Sequence, residues 1–559
     1  MILRRLLASR RGGPFGGRPG PLPAVLFAGW LVLVAALAAA PGSCRAAPIC
    51  AGGPLADSLE AAAGDLDGQA QIGVLAVSLD RGDTLLASGE ARRLIPGSNT
   101  KIFTTSAFLE RFGPEARLTT RIEARGKTAR RKDGTVRLTG ELVLRASGAP
   151  DVTQLLSPGS RGLLDSLAVL LHHGGLGSFH GTLWVDGTLF APQPYGPGWA
   201  IEDAVAAYGA MVGAVMSNGN ATMLVATADH RGVSLAFDPP ETPLTIEGSV
   251  GLGLPGSTPW VDLMRDPGST RLRVQGRVPP GETVKKWIAA PDPDSTAGLV
   301  LLGALRRAGV EVDAKVRLVP HPPGSEWSGG GSDPPAAPFP PVGADSATGF
   351  GAVTPTHPAT VLALVSPTAQ EIVSVVNALS LNTEAEALLR LLDPAPREKR
   401  REIGVEEVRR IAAEAAGIDT LDLSLVDGSG LSPMDLVTPR AIVAWLATLA
   451  RDSTLSDPFR NGLATPGTPG TLRNRFADLD RSADLHGKTG TLTNVSALSG
   501  YLRTADGERV AFSILTNGNR GSVADAHRME ERIVTALSRF RRPYGPMPEP
   551  AEPPPPEAR

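Results

Sequence analysis

The sequence predicts an α/β (α+β) fold in which one domain, built from helices around an antiparallel sheet, is interrupted by a large β-rich insertion. Three observations predict it. Helix-period apolar patterns occur at 98–112 and again from 357 onward, alternating strand patterns follow at 485–516, and the stretch from about 115 to 355 changes to short strands punctuated by glycine and proline. Similar material on both sides of a different texture is most economically one domain split in two. That domain is expected to join 52–135 to 355–540, with 136–354 inserted between them. The 559 residues are ample for such an arrangement, and 42% hydrophobic with 20% charged residues is globular composition.

Taken in order, the chain opens on a segment with the pattern of an export signal. Residues 1–22 carry five arginines and no acid, residues 24–40 read AVLFAGWLVLVAALAAA, and small residues follow. A charged region, an apolar run and a small-residue zone are the order of a secretory signal, with cleavage near Ala46. The apolar run is just within spanning length, so membrane anchoring enters only if the segment stays uncleaved. Lipidation at Cys44 and the folded-export route hinted at by Arg10-Arg11 stay open. Removal of 1–46 takes away six arginines and moves the net charge from −2 to −8. The expected location is outside the cytoplasm, in the periplasm or cell envelope.

Residues 71–90 then read as a strand pair turning at Arg81-Gly82-Asp83, and 98–112 as a helix. Inside the β-rich block one helix is expected over 296–308, and 320–350 is a Pro/Gly/Ser-rich linker. Helices follow at 369–379, 383–392, 402–415 and 438–451, then strands at 485–492, 496–504 and 509–516, the last two turned by Ala505-Asp506-Gly507. A final helix is expected over 523–540, and the Pro-rich tail 541–559 is expected to be disordered.

Several function classes fall away. A net charge of −2 and 4% aromatics argue against nucleic-acid binding. Two cysteines, Cys44 and Cys50, exclude a disulfide framework or a multi-cysteine metal site. There is no P-loop, no Gly-x-Ser-x-Gly elbow and no His-Glu-x-x-His. His172, His173 and His180 lie in a Gly-rich stretch and read as solvated loop histidines.

The positive signal is a set of three motifs. Only eight of the 55 cations are lysines, so arginine is the default positive charge and a lysine is informative where it falls. Ser98-Asn99-Thr100-Lys101 is Ser-x-x-Lys, which on a helix puts an amine one turn from a hydroxyl on the same face. A serine hydroxyl needs an adjacent base to act as a nucleophile, and a buried lysine, unlike an arginine, can lose its proton. Ser98 as a helix N-cap is equally compatible with this stretch. Ser380-Leu381-Asn382 falls between two helical stretches, and Lys488-Thr489-Gly490 lies on a predicted strand. Ser-x-x-Lys, Ser-x-Asn and Lys-Thr-Gly in this order mark penicillin-binding proteins and serine β-lactamases.

With these residues the chain resembles the class C low-molecular-mass penicillin-binding proteins, the D-alanyl-D-alanine carboxypeptidase/endopeptidase family. Further resembling text includes GELVLRASGAP at 140–150, the run from Gly196 to Asn220, SLNTEAEALLR, Asp427-Gly428-Ser429-Gly430-Leu431-Ser432, Gly470-Thr471-Leu472 and HGKTGTLTNVSALSGYL. Leu381 departs from the acidic residue often found inside Ser-x-Asn, and SGAPD stands where relatives read GSGDP. The resemblance implies a β-lactamase/transpeptidase-like catalytic domain and a serine peptidase acting on peptidoglycan stem peptides and acylated by β-lactams. It implies Ser98 as nucleophile, Lys101 as base made near-neutral by burial and neighbouring positive charge, and Ser380 as proton relay. Asn382, Lys488, Thr489 and Gly490 would bind substrate, and the N–H groups of Ser98 and Thr491 would form the oxyanion hole. No metal or organic cofactor is implied. The alternatives are a serine β-lactamase, which would need a further base for deacylation, and a non-catalytic wall-binding protein. The insertion contributes no motif and is expected to shape access to the cleft for bulky wall fragments, leaving acylation by small β-lactams independent of it.

Overall fold

Strands with apolar residues on both faces belong in the middle of a covered sheet. VSALSGYLR, RVAFSILTN and QIGVLAVS are three such strands, with only their ends reaching solvent. The computed structural model describes residues 54–64, 66, 68–321, 346–347, 350, 353–356 and 359–542. The expected export segment, both cysteines, most of the 320–350 linker and the tail from 543 lie outside the described residues.

Helix α1 (Pro54–Ala63) precedes the hairpin β1 (Gln71–Ser78) and β2 (Thr84–Ser88), and a 3₁₀ turn at Gly97–Thr100 runs into α2 (Lys101–Phe112). There follow β3 (Thr119–Arg130), β4 (Val136–Arg145), α3 (Thr153–Leu156), α4 (Leu163–His173) and β5 (Leu176–Asp186). Strands β6 (Ala221–Ala228), β7 (Val233–Asp238), β8 (Thr245–Leu252), β9 (Trp260–Met264), β10 (Arg271–Val278) and β11 (Thr283–Ala289) come next. Then come α5 (Pro293–Arg307), β12 (Glu311–Leu318), β13 (Ser346–Ala347) and β14 (Ala359–Val365). Helices α6 (Ala369–Leu379), α7 (Asn382–Leu391) and α8 (Arg401–Ala416), the short pair β15 (Leu423–Ser424) and β16 (Leu436–Val437), and helices α9 (Pro439–Leu449) and α10 (Ser456–Asn461) follow. The described chain closes with β17 (His486–Leu492), β18 (Val495–Arg503), β19 (Arg509–Asn517) and α11 (Val523–Arg539).

The main sheet is antiparallel with order β17-β18-β19-β1-β2, so strands from the two ends of the chain meet where β1 pairs β19. One face packs Val74, Phe512 and Ile514 against Leu59 of α1 and Met529 and Ile533 of α11. The other packs Leu75, Ala511 and Leu515 toward a helical layer containing Phe103 of α2, Val376 of α6, Leu388 of α7 and Trp445 of α9. Helix α2 sits at the centre of that layer, with every residue from Lys101 to Leu109 buried.

The insertion holds a six-stranded mixed sheet, β12-β5-β4-β3-β14-β13, and two three-stranded sheets, β8-β10-β9 and β11-β6-β7. The boundaries drawn at 135 and 355 cut through the six-stranded sheet. Strand β3 pairs with β4 across ten positions and β14 pairs β3, so 119–130 and 359–365 go with the insertion. The change of texture at about 115 already includes β3; the boundary at 135 fell beyond it, between two strands that hydrogen-bond to each other. The histidines also sit elsewhere than expected. His172 and His173 end α4, and His180 lies on β5.

Candidate active site

The three motifs arrive from three elements. Ser98 lies in the 3₁₀ turn that leads into α2, and Lys101 is the first residue of the helix itself. Ser380 ends α6 in the left-handed region, φ 60°, which breaks the helix and lets α7 start at Asn382. Lys488, Thr489 and Gly490 lie on the edge strand β17.

Two glycines let turn and strand touch backbone to backbone. Gly97 has φ 51°, and a Cβ there would lie 3.2 Å from the Thr491 nitrogen. A Cβ on Gly490 would lie 2.5 Å from the Pro96 carbonyl oxygen and 3.0 Å from the Ser98 nitrogen. The backbone nitrogens of Ser98 and Thr491 are thereby brought to one place beside the Ser98 side chain.

Lys101 is fully buried, and its Nζ makes three contacts: Ser98 Oγ at 2.9 Å, Asn382 Oδ1 at 2.7 Å and the Ser429 carbonyl oxygen at 2.6 Å. The two carbonyl-type oxygens can only accept. A neutral amine therefore spends both N–H groups on them and directs its lone pair at the Ser98 hydroxyl. Burial brings the Lys101 pKa down to about 7, against the pull of the carboxylates of Asp427, Glu386, Glu384 and Asp435. The cause is thus burial alone; the charged neighbours that matter are acids, not the expected cations, and they act in the opposite direction.

Lys488 is also fully buried, with Nζ 2.9 Å from Ser380 Oγ and 2.9 Å from the Thr489 carbonyl oxygen. Burial, and secondarily the charge of Lys101, holds its pKa well below the usual lysine range. Its amine group stands behind Ser380 rather than at the cleft surface, where Ser98, Ser380, Asn382, Thr489 and Thr491 line an opening of about 410 Å³. A larger hollow of about 1350 Å³ lies between α1 and α11, on the far face of the sheet, and holds no motif residue.

The structure brings all the predicted site residues together. It adds others that the motifs did not name. Asp203 and Tyr208, from two 3₁₀ turns of the insertion, line the same cleft, and the Tyr208 carbonyl accepts from Asn382 Nδ2 at 3.0 Å. Behind the lysine stand four buried acids, Glu384, Glu386, Asp427 and Asp435. Burial raises Glu384 to about 7, and burial with the Asp427 charge raises Asp435. The sequence signal for three of them was acids at apolar-periodic positions of SLNTEAEALLR and in the glycine-rich DGSGLS; Asp435 lies three residues beyond that run.

The family described as D-Ala-D-Ala carboxypeptidase 3 (S13) matches residues 55–327 and 348–539. The chain is 28% identical over 487 residues to a D-alanyl-D-alanine carboxypeptidase of Actinomadura sp. strain R39, covering 84% of this chain and 81% of that one. It is 23% identical over 462 residues to the D-alanyl-D-alanine carboxypeptidase DacB of Haemophilus influenzae, covering 80% and 85%. The crystal structure of penicillin-binding protein 4 from the same organism superposes with a TM-score of 0.65 at 21% identity, over 86% of this chain and 99% of that one. Motif geometry, sequence and fold therefore agree, and the chain belongs to the D-Ala-D-Ala carboxypeptidase S13 family of serine peptidases.

Proposed function

We propose that the protein is a penicillin-binding serine DD-peptidase that cuts the terminal D-alanyl-D-alanine bond of peptidoglycan stem peptides, or the corresponding cross-link, through an acyl-enzyme on Ser98. The observation that carries this reading is the buried Lys101 amine, lowered to about 7, hydrogen-bonded to Ser98 Oγ at 2.9 Å. Ser98 Oγ attacks the carbonyl carbon of the penultimate D-alanine while its proton passes to Lys101 Nζ. The oxyanion is held by the N–H groups of Ser98 and Thr491. The hydroxyl of Ser380, bonded to Lys488 Nζ, relays a proton: it gives its own to the departing nitrogen and takes up the one Lys101 received from Ser98, so the C–N bond breaks, the terminal D-alanine leaves and Lys101 is neutral again. Asn382 bonds the substrate amide, and Thr489 and Gly490, with Lys488 behind them, receive the terminal carboxylate, whose negative charge favours the protonated form of that lysine. Water then attacks the ester, Lys101 takes its proton and returns it to the Ser98 oxygen, and the acyl–oxygen bond breaks to regenerate the Ser98 hydroxyl.

The same reading places the enzyme at its substrate, exported to the periplasm or cell envelope by residues 1–46. Fractionation with N-terminal sequencing of the mature chain tests this; a cytoplasmic, uncleaved product overturns it. For the chemistry, a labelled penicillin and an acyl-D-alanyl-D-alanine peptide are given to the purified protein. Lasting label with D-alanine release is expected. Rapid turnover of the penicillin without peptide cleavage would make it a β-lactamase, and no label with no cleavage a wall-binding protein.

A further inference from the structure

The Ser429 carbonyl is one of the two acceptors that orient the Lys101 amine, so whatever fixes Ser429 fixes the base. Ser429 sits in the loop from Asp427 to Ser432, which is folded on two fully buried carboxylates: Glu386 Oε1 of α7 accepts from Gly428 N at 2.6 Å and Ser429 N at 3.0 Å, and Asp427 takes the rest of the loop. Asp427 Oδ1 accepts from Ser429 N at 3.2 Å and Gly430 N at 2.7 Å, and Oδ2 accepts from Ser432 N at 2.8 Å and Ser429 Oγ at 3.3 Å. A further donor comes from the insertion: Trp199 Nε1 donates to Asp427 Oδ2 at 2.8 Å. Two residues earlier, the Pro197 carbonyl accepts from Ser432 Oγ at 2.7 Å, so the same insertion segment clasps both ends of the loop.

We propose that Trp199 is a positioning residue for the general base, holding Asp427 and through it the Ser429 carbonyl against Lys101, so that the insertion is part of the acylation machinery. An indole N–H to a buried carboxylate is a charge-assisted bond, and the donors that the loop itself supplies, three backbone N–H groups and the Ser429 hydroxyl, move with the loop. Trp199 is a side-chain donor anchored outside it, in the insertion, whereas the other outside partner, Asp435, lies three residues beyond the loop. Loss of the indole N–H lets the carboxylate, and with it the Ser429 carbonyl, shift relative to Lys101 and Ser98. A nucleophile–base pair is sensitive to such misplacement.

This inference rests on the reading of Ser98 and Lys101 as nucleophile and base. The test measures the second-order rate of Ser98 acylation by a fluorescent penicillin from pH 5 to 10, in the full mature enzyme and its Trp199→Phe, Asp427→Asn and double variants. Trp199→Phe keeps most of the ring volume and is expected to retain the thermal midpoint while acylating about tenfold more slowly. Asp427→Asn removes the carboxylate with the largest upward pull on Lys101, so the acid limb of its pH profile is expected to move to lower pH. The double variant is expected to be no slower than Asp427→Asn alone, because both changes interrupt one path. A Trp199→Phe enzyme with the wild-type rate and profile overturns the proposal, as does additive loss in the double variant. If Asp427→Asn does not fold, the Trp199→Phe rate decides alone. Label surviving Ser98→Ala would instead overturn the underlying reading, so the two failures are distinguishable.

Discussion

At the scale of residues, Lys101 shows both what a sequence can and cannot say. In a chain that spends arginine wherever positive charge suffices, a lysine three residues after a serine is legible as a base. Its environment is not legible, because the acids beside it come from α7 and the 427–435 segment, far along the chain. The expected consequence is kinetic. Acylation requires the neutral amine, so its rate is expected to rise with pH through about 7 and to fall about tenfold per unit below it. A flat stopped-flow profile from pH 5 to 8 would remove Lys101 from the role. Because a guanidinium stays charged, Lys101→Arg is expected to be nearly as inactive as Lys101→Ala. Ser98→Ala is expected to abolish labelling and peptide cleavage while leaving the thermal midpoint in place. Neither substitution changes the backbone that forms the oxyanion site, so penicillin labelling reads the side chains alone.

At the scale of elements, periodicity located nearly every helix of the catalytic domain. Helix α6 falls on its expected bounds, and α8 and α11 within a residue at each end. What periodicity could not supply is the way elements end. The left-handed Ser380 turns the chain between α6 and α7 so that Ser380 meets Lys488 while Asn382 meets Lys101. Nothing in Ser-Leu-Asn announces that conformation, since serine adopts it only under tertiary constraint. The expected helix over 98–112 likewise begins as a 3₁₀ turn, because Gly97 must bring it against β17. That contact carries a prediction of its own. In Gly490→Ala the new methyl has no room between the Pro96 carbonyl and the Ser98 nitrogen, so strand and turn must separate. Losing one oxyanion donor costs about 10²–10³ in kcat. A hundredfold drop in D-alanine release, with the overall fold retained by circular dichroism, is the expected outcome. Near-normal kcat would mean that the Ser98 and Thr491 nitrogens do not act as a pair.

At the scale of the whole molecule, the split-domain plan was legible from texture, but the independence of the insertion was not. Burial shows why. The cluster beneath the catalytic helices is not made by those helices alone: Val152, Phe190, Val212 and Met216 of the insertion are buried in the same cluster as Phe103, Leu388 and Trp445. The backbone is shared too, since Ala191 N donates to the Lys399 carbonyl and Lys399 N to the Leu189 carbonyl. Arg390 and Arg401, both buried in the catalytic domain, donate guanidinium N–H groups to insertion carbonyls at Ala191 and Gln193. Excision of 113–366 therefore strips buried apolar surface, removes the carbonyl acceptors of Arg390 and leaves Arg401 with Glu386 but without its insertion carbonyls. The joined halves are expected not to fold cooperatively, and the idea that small β-lactams acylate without the insertion is replaced by dependence on it. A single-residue version avoids the ambiguity of a large deletion. Phe190 is 2% exposed, with the Arg390 guanidinium 5.5 Å from its ring centre. Phe190→Ala is expected to cost about 3–5 kcal/mol by opening a cavity in the shared core. Because that core spans both parts, calorimetry should show one lowered transition, with penicillin labelling lost at the same temperature. Two separate transitions, with labelling following only the unshifted one, would mean that the insertion folds as an independent body.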